Sequence, residues 1–256
     1  MEIITIDEKN IDSEHICCAL GNDKKNLARA NSKKQWMKER FNEGLVFKRL
    51  YERGKMFIEY MPIENVWRPI IGKNYLVIHC LWVAGKFKEK GIEVKLINEC
   101  IKDAKKQKKD GVCLVTCSKK KGFILTPNKI FEKEGFEICD TAPPYFELRV
   151  LKINKKAKSP EFSENAKKGI FKHKKDFSFV YSNQCPFVEE YVGIMADVLK
   201  KKKISFEIIK LESKNDAQKL PCPFGAFSLF YKGKIKTHEI MPEKKFEKFL
   251  GGIKLN

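Results

Sequence analysis

Along the first 150 residues the apolar positions switch repeatedly between a period near four and a period of two. "NSKKQWMKERFNEGLVFKRLYE" starts helical and runs into a strand, and "KMFIEYMPI" and "YLVIHCLWV" read as neighbouring strands. The second of these is apolar enough to be buried on both faces. After Gly91 the set Ile92, Leu96, Ile97, Cys100, Ile101 and Ala104 follows helical spacing, one stripe against a sheet. "GVCLVTC" predicts a short strand. "TPNKIFEKEGF" predicts a short helix with Pro127 in its first turn and Gly135 beyond its end, and "YFELRVLKI" a last alternating strand.

Between 153 and 175 the chain is polar, lysine-rich and without a period, which predicts a linker or crossover. The order beyond it is strand "FSFVYS", helix "PFVEEYVGIMADVLKKKK", strands "ISFEIIKL", "GAFSLFYKG" and "KIKTHEI", and helix "PEKKFEKFLGG". Val188, Tyr191, Val192, Met195 and Leu199 share one side of the first helix, which should cover a small sheet. No internal repeat joins the two parts. The expected organisation is α/β in class, with a domain over 1–153, a connection over 154–175 and a smaller domain over 176–256.

The 256 residues are 43% hydrophobic, enough for a core in each part. No apolar run approaches the roughly 20 residues that span a bilayer, and the start lacks a secretory pattern, so a cytoplasmic protein is expected. The nine cysteines fit that compartment, being odd in number and without a CxxC pair; neither a disulfide framework nor a zinc site is expected. Cys17–Cys18 is too tightly spaced to chelate, and Cys113 with Cys117 suits two same-side core positions of a strand.

A formal charge of +19 invites a nucleic-acid reading. The charge is spread evenly, however: residues 1–154 carry net +9 and the remainder +10. The runs at 105–109 and 200–203 close expected helices, where cations complement the dipole. Solvated helix ends explain them better than a nucleic-acid surface.

Candidate chemistry centres on a buried strand, a basic turn and a glycine at a helix start, a combination suited to pyrophosphate because the first-turn amides point at the anion. The series "MFIEYMPIENVWRP", "YLVIHCLWV", "KEKGIE", "ECIKDAK", "GVCLVT", "IFEKEGFE" and "APPYFELRVLKI" resembles the Gcn5-related N-acetyltransferases, most closely YoaP-like members with a small second domain. The resemblance covers about residues 1–153. It implies a mixed sheet splayed between two central strands with acetyl-CoA in the split, and transfer of its acetyl group to an amine. It also implies that Leu81, Trp82 and Val83 offer backbone groups to the pantetheine, while Lys88, Glu89, Lys90, Gly91, Ile92 and Glu93 form the pyrophosphate loop.

Two positions depart from the family pattern. Glu93 stands where Gly or Ala is usual, opposing a phosphate unless its carboxylate turns outward or pairs with Lys90 or Lys95. Phe131 stands where many relatives have a tyrosine that protonates the CoA thiolate. Glu59 and His79 are the base candidates, and Tyr145 or Cys80 the proton donor. Glu59 could instead pair structurally with Arg68, and His79 could be a core histidine. Trp67 and Trp82 are candidates for an acceptor pocket or for core.

The second part resembles a thioredoxin-like fold, with Cys185 at the attacking position but Val188 where the second cysteine would stand. Pro221 and Pro223 fall one or two places early for the usual cis-proline. The alternatives to an enzyme acting on a small-molecule or peptide amine are a degenerate fold serving as scaffold and a monothiol redox protein, in which Cys222 could approach Cys185. For the second part a binding or homodimer-forming domain with an inert cysteine, shaping substrate access or partner choice, is expected ahead of a redox role.

Overall fold

A computed structural model of the chain describes residues 2–16, 19–118, 128–172 and 174–253. Cys17, Cys18 and Pro127 lie outside them. Among the described residues, eight strands and three α-helices precede residue 153: β1 Ile3–Ile6, α1 Lys24–Phe41, β2 Val46–Leu50, β3 Met56–Pro62, β4 Ile70–Ile71, β5 Tyr75–Val83, α2 Ile92–Lys106, β6 Gly111–Cys117, α3 Asn128–Lys133, β7 Glu137–Ala142 and β8 Phe146–Lys152. Seven of these strands form one sheet in the order β1-β2-β3-β5-β6-β8-β7. All neighbours are antiparallel except β5 and β6. The sheet is mixed, as the resemblance to the Gcn5-related acetyltransferases implied.

The later elements are β9 Glu161–Phe162, α4 Glu164–Lys168, β10 Phe177–Tyr181, α5 Val188–Lys201, β11 Phe206–Lys210, α6 Lys214–Gln218, β12 Phe227–Tyr231, β13 Lys234–Thr237 and α7 Glu243–Gly251. A second sheet runs β11-β10-β12-β13, with β10 parallel to β11 and antiparallel to β12. No helix among the described residues is long and apolar enough to cross a membrane.

Burial explains how the two sheets meet. On one face of the first sheet, Ile58, Tyr60, Leu76 and Ile78 pack on the α2 stripe of Ile92, Leu96, Ile97, Cys100 and Ala104. The other face carries Phe47, Val77, Cys113, Val115 and Cys117, covered by Trp36 and Met37 of α1 and by Val180, Phe224 and Phe230 of the second sheet and its loops. Alternation then sends Phe177, Phe179 and Tyr181 to the opposite side, against Val188, Val192, Met195 and Leu199 of α5 and Phe246 of α7. The second sheet is therefore sandwiched between its own helices and the first sheet.

The polar stretch 153–175 is more than a connection. Ser163 caps α4 by accepting a hydrogen bond from the Ala166 amide, Phe162 and Ala166 are buried, and β9 pairs with β4. The few buried side chains among its described residues are too unevenly spaced to write a period. The charge runs do close α2 and α5, as expected of cations at helix C-termini.

Candidate active site

β5 parts from β6 partway along its length. The two strands pair only from Tyr75 with Gly111 to Ile78 with Leu114. Beyond that point β5 continues to Val83 against β3, while β6 continues to Cys117 against β8. A bulge explains the parting: Tyr60 opposes Ile78 and Glu59 opposes Cys80, so His79 is the extra residue on β5. An inserted residue bends the strand and re-aims its side chains. Leu81, Trp82 and Val83 lie on the diverging arm.

The arm leads into a short 3-10 turn, Gly85–Phe87, anchored by buried Phe87. Lys88, Glu89, Lys90 and Gly91 follow, all exposed, and Gly91 caps α2 in the left-handed region at φ 70°. A Cβ there would meet nothing within 4 Å, so glycine serves the backbone angle rather than the space. The cap supplies no side-chain acceptor, and the amides of Ile92, Glu93 and Val94 stand at the helix start with no carbonyl one turn back. Open amides at a helix start attract anions, and exposed Lys88 and Lys90 precede them in the chain. Half-buried Glu93 has no ion-pair partner among the described residues; neither Lys90 nor Lys95 takes that role. Its carboxylate suits the positive end of the helix and competes there with a phosphate.

On the face covered by the second sheet, a polar cluster sits beside the bulge. Lys33 of α1 and Glu59 of β3, 2% and 1% exposed, form a buried ion pair through Glu59 Oε2. The other oxygen, Oε1, accepts a hydrogen bond from Gln184 Nε2 at 3.1 Å and lies 3.5 Å from His79 Nδ1. The alternative Glu59–Arg68 pair does not form; Lys33 takes the carboxylate instead. Buried Arg68 instead donates to the His79 carbonyl at 2.6 Å, at the point where β6 stops pairing. Burial alone would raise the Glu59 carboxyl, but Lys33 and His79 together hold it down to about 2. Burial lowers the His79 imidazole to about 4, against the opposing pull of Glu59. Histidine 79 is therefore neutral at neutral pH.

That shift has a measurable sign. A histidine that titrates near 6.5 unfolded and near 4 folded binds more protons in the unfolded state, so it contributes stability above pH 6.5 that is lost as pH falls toward 4. The loss is about 3 kcal/mol from the shift. Urea unfolding of wild type and His79→Asn at pH 7 and pH 4.5 measures it: the variant should lose less on acidification by about 2–3 kcal/mol. Parallel losses in the two proteins would mean that His79 titrates normally.

The remaining candidates fall elsewhere. Tyr145, just before β8, shares a hydrogen bond of 3.0 Å with His238 Nδ1 of the second sheet's side, and burial raises its phenol above the ordinary range. Phe131 is buried edge-on against Phe136 in the α2 core. Trp67 is a core residue, fully buried and packed at 75° on Trp36, with Nε1 donating to Glu43. Trp82 is half-buried under Lys55. Burial, then Glu59, push the Cys80 thiol up. Cys185 is half-buried before α5, and buried Cys222 is pushed up to about 12. Sequence reasoning missed Lys33 and Gln184. No metal-binding group of His, Cys, Asp and Glu occurs among the described residues.

Comparison with known proteins supplies the family. A family model described as YoaP-like matches residues 205–248. The chain is 42% identical over 250 residues to the uncharacterized N-acetyltransferase YoaP of Bacillus subtilis (strain 168), covering 98% of each chain. Among solved structures, the PaiA N-acetyltransferase of Thermoplasma acidophilum in complex with coenzyme A aligns with 59% of this chain and 99% of its own, at 16% identity and a TM-score of 0.41. The ribosomal-protein-S18-alanine N-acetyltransferase of Escherichia coli aligns with 62% of this chain and 97% of its own, at 12% identity and a TM-score of 0.39. With a relative so similar across its whole length, the chain belongs to the YoaP-like family.

Proposed function

We propose that the chain is an acetyl-CoA-dependent N-acetyltransferase acting on an amine. The observation that carries this reading is the loss of β5–β6 pairing at the His79 bulge, followed one arm later by the open start of α2. The two features suit the two ends of one elongated ligand. Acetyl-CoA supplies an acyl thioester. In this reading the backbone of Leu81–Val83 holds the pantetheine, and the Lys88–Glu93 loop holds the pyrophosphate.

Transfer forms a C–N bond and breaks the C–S bond; one proton leaves the amine and one ends on sulfur. His79 accepts the first at its unpaired Nε2, with ionised Glu59 facing Nδ1 at 3.5 Å. Tyr145, held by His238, is the donor retained for the second.

The chain divides in this reading into an acetyltransferase domain over 1–153 and a thioredoxin-like domain over 176–256, whose β-α-β-α-β-β-α order matches that fold. The second domain covers the acceptor face rather than exchanging disulfides, since Val188 replaces the second cysteine and Cys222 is buried.

Release of CoA thiol tests the activity. With spermidine, tyramine, kanamycin and an Ala-Gly dipeptide as acceptors, at least one should speed thiol release beyond hydrolysis of acetyl-CoA alone. Rates equal to the enzyme-free control with every amine would count against a transferase of simple amines.

A further inference from the structure

Gln184 stands in the short connection between β10 and α5, outside the first sheet, yet its amide ends at the Glu59 carboxylate. It is 6% exposed, and 125 residues separate the two partners. The connection is fastened on both sides. Ser182 donates its amide to the Ala226 carbonyl and its hydroxyl to the Gly225 carbonyl at 3.2 Å. Glu190, in the first turn of α5, pairs with Lys25 and Arg29 of α1, and the Arg29 guanidinium lies 4.8 Å over the Phe187 ring. Gln184 is thus delivered to Glu59 by a segment clamped onto the same helix that delivers Lys33.

The sharing of the carboxylate is specific. Oε2 belongs to Lys33, whereas Oε1 accepts from Gln184 at 3.1 Å and faces His79 Nδ1 at 3.5 Å. Neither His79 ring nitrogen has a hydrogen-bond partner within its range, and neither does Gln184 Oε1, although all three atoms are buried. A purely structural contact at this depth would be satisfied more cheaply by an apolar side chain, since buried polar atoms without partners destabilise the fold. The groups facing this spot are Lys33 from α1, Glu59 from β3, Arg68 from the segment before β4, Cys80 from β5 and Cys185 beside Gln184.

We propose that Gln184 is a positioning residue for acetyl transfer: it fixes the Glu59 carboxylate beside His79, so that the C-terminal domain completes the active site. The inference rests on the acetyltransferase reading and on His79 as base. With Gln184 present, Oε1 is held 3.5 Å from Nδ1, short of a full hydrogen bond, and the carboxylate keeps a fixed place beside the ring. Without it, Oε1 closes on Nδ1 and the geometry of the pair is reset.

The test uses the full-length chain with Gln184→Leu, similar in volume but without a donor. Three readings are taken: calorimetric affinity for acetyl-CoA, thiol release with the fastest of the four panel amines, and the carbon NMR titration of His79, assigned against His79→Asn. The expected result is an acetyl-CoA affinity within twofold of wild type, a kcat at least tenfold lower with KM for acetyl-CoA unchanged, and a His79 midpoint raised by about one unit as Oε1 turns to the ring. Should Gln184→Leu fail to fold by thermal melting, Gln184→Asn, which shortens the reach by one methylene, replaces it with the same expected directions. An unmoved His79 midpoint, or a shifted midpoint with wild-type kcat, overturns the inference. The midpoint needs no acceptor, so it decides the point whichever amine reacts. Absence of acetyl-CoA binding to wild type would instead overturn the acetyltransferase reading.

Discussion

Lys33→Met should lower the unfolding free energy by about 3–5 kcal/mol, the cost of leaving a buried charge without its partner. Lys33 and Glu59 are almost wholly inaccessible, and the ammonium also lies 4.3 Å over the Trp36 ring. Methionine keeps most of the stem packing and removes only the charge. Glu59 is then left with one neutral donor, Gln184, and must either remain ionised in an apolar surround or take up a proton. The double variant Lys33→Met/Glu59→Leu should recover most of the loss, because replacing both ions by apolar side chains is near neutral. The double variant should still be inactive if Glu59 orients the base. Urea denaturation gives both stabilities. A single-variant cost below about 1 kcal/mol, the range of surface pairs, would mean that the ion pair is solvated.

Gly225→Ala should be more damaging than the same change at the other glycines whose surroundings are described. A Cβ at this position would overlap the Trp67 carbonyl oxygen and press on the Arg68 side chain, so one of two backbones must move. Because Gly225 precedes β12 and Trp67 lies in the first sheet's side of the core, the displacement falls on the junction that also carries Gln184 and Arg68. Overpacking of this kind costs about 1–3 kcal/mol or more. Gly193→Ala provides the opposite sign within the same domain: it lies in α5, exposed, with nothing within 4 Å of the added carbon. It should stabilise by about 0.5–1 kcal/mol through helix propensity. Thermal melting of the two variants compares them directly. Equal melting temperatures for Gly225→Ala and wild type would show that the two sheets are not in close contact there.

The elements with strong periods were readable from sequence. β5 is buried along nearly its whole length, and the α2 and α5 stripes pack as their spacing required, with only Ile101 and Tyr191 at the margin. Cys113 and Cys117 lie on one face of β6, in one core. Edge strands were harder. β7 buries only Ala142, and four-residue β1 sits at the far edge, so neither wrote a clear alternation. The site divides in the same way. Gly91 is visible because a left-handed cap demands glycine. Lys33 and Gln184 were invisible: in a hydropathy pattern each reads as a solvent-facing side chain, and their burial depends on a partner far away in sequence. The bulge at His79 was equally hidden, since it is a property of register between strands rather than of either strand alone.

The central claim is that the parted strands and the α2 start form one acetyl-CoA cleft. Calorimetric titration of wild type and Gly91→Glu with acetyl-CoA, with CoA as comparison, tests it most directly. Wild type should bind with micromolar affinity, on the order of −8 kcal/mol. Gly91→Glu, which strains the left-handed cap and places a second carboxylate at the helix start, should show no binding while remaining folded. No heat with wild type, or the same affinity in the variant, would contradict the account.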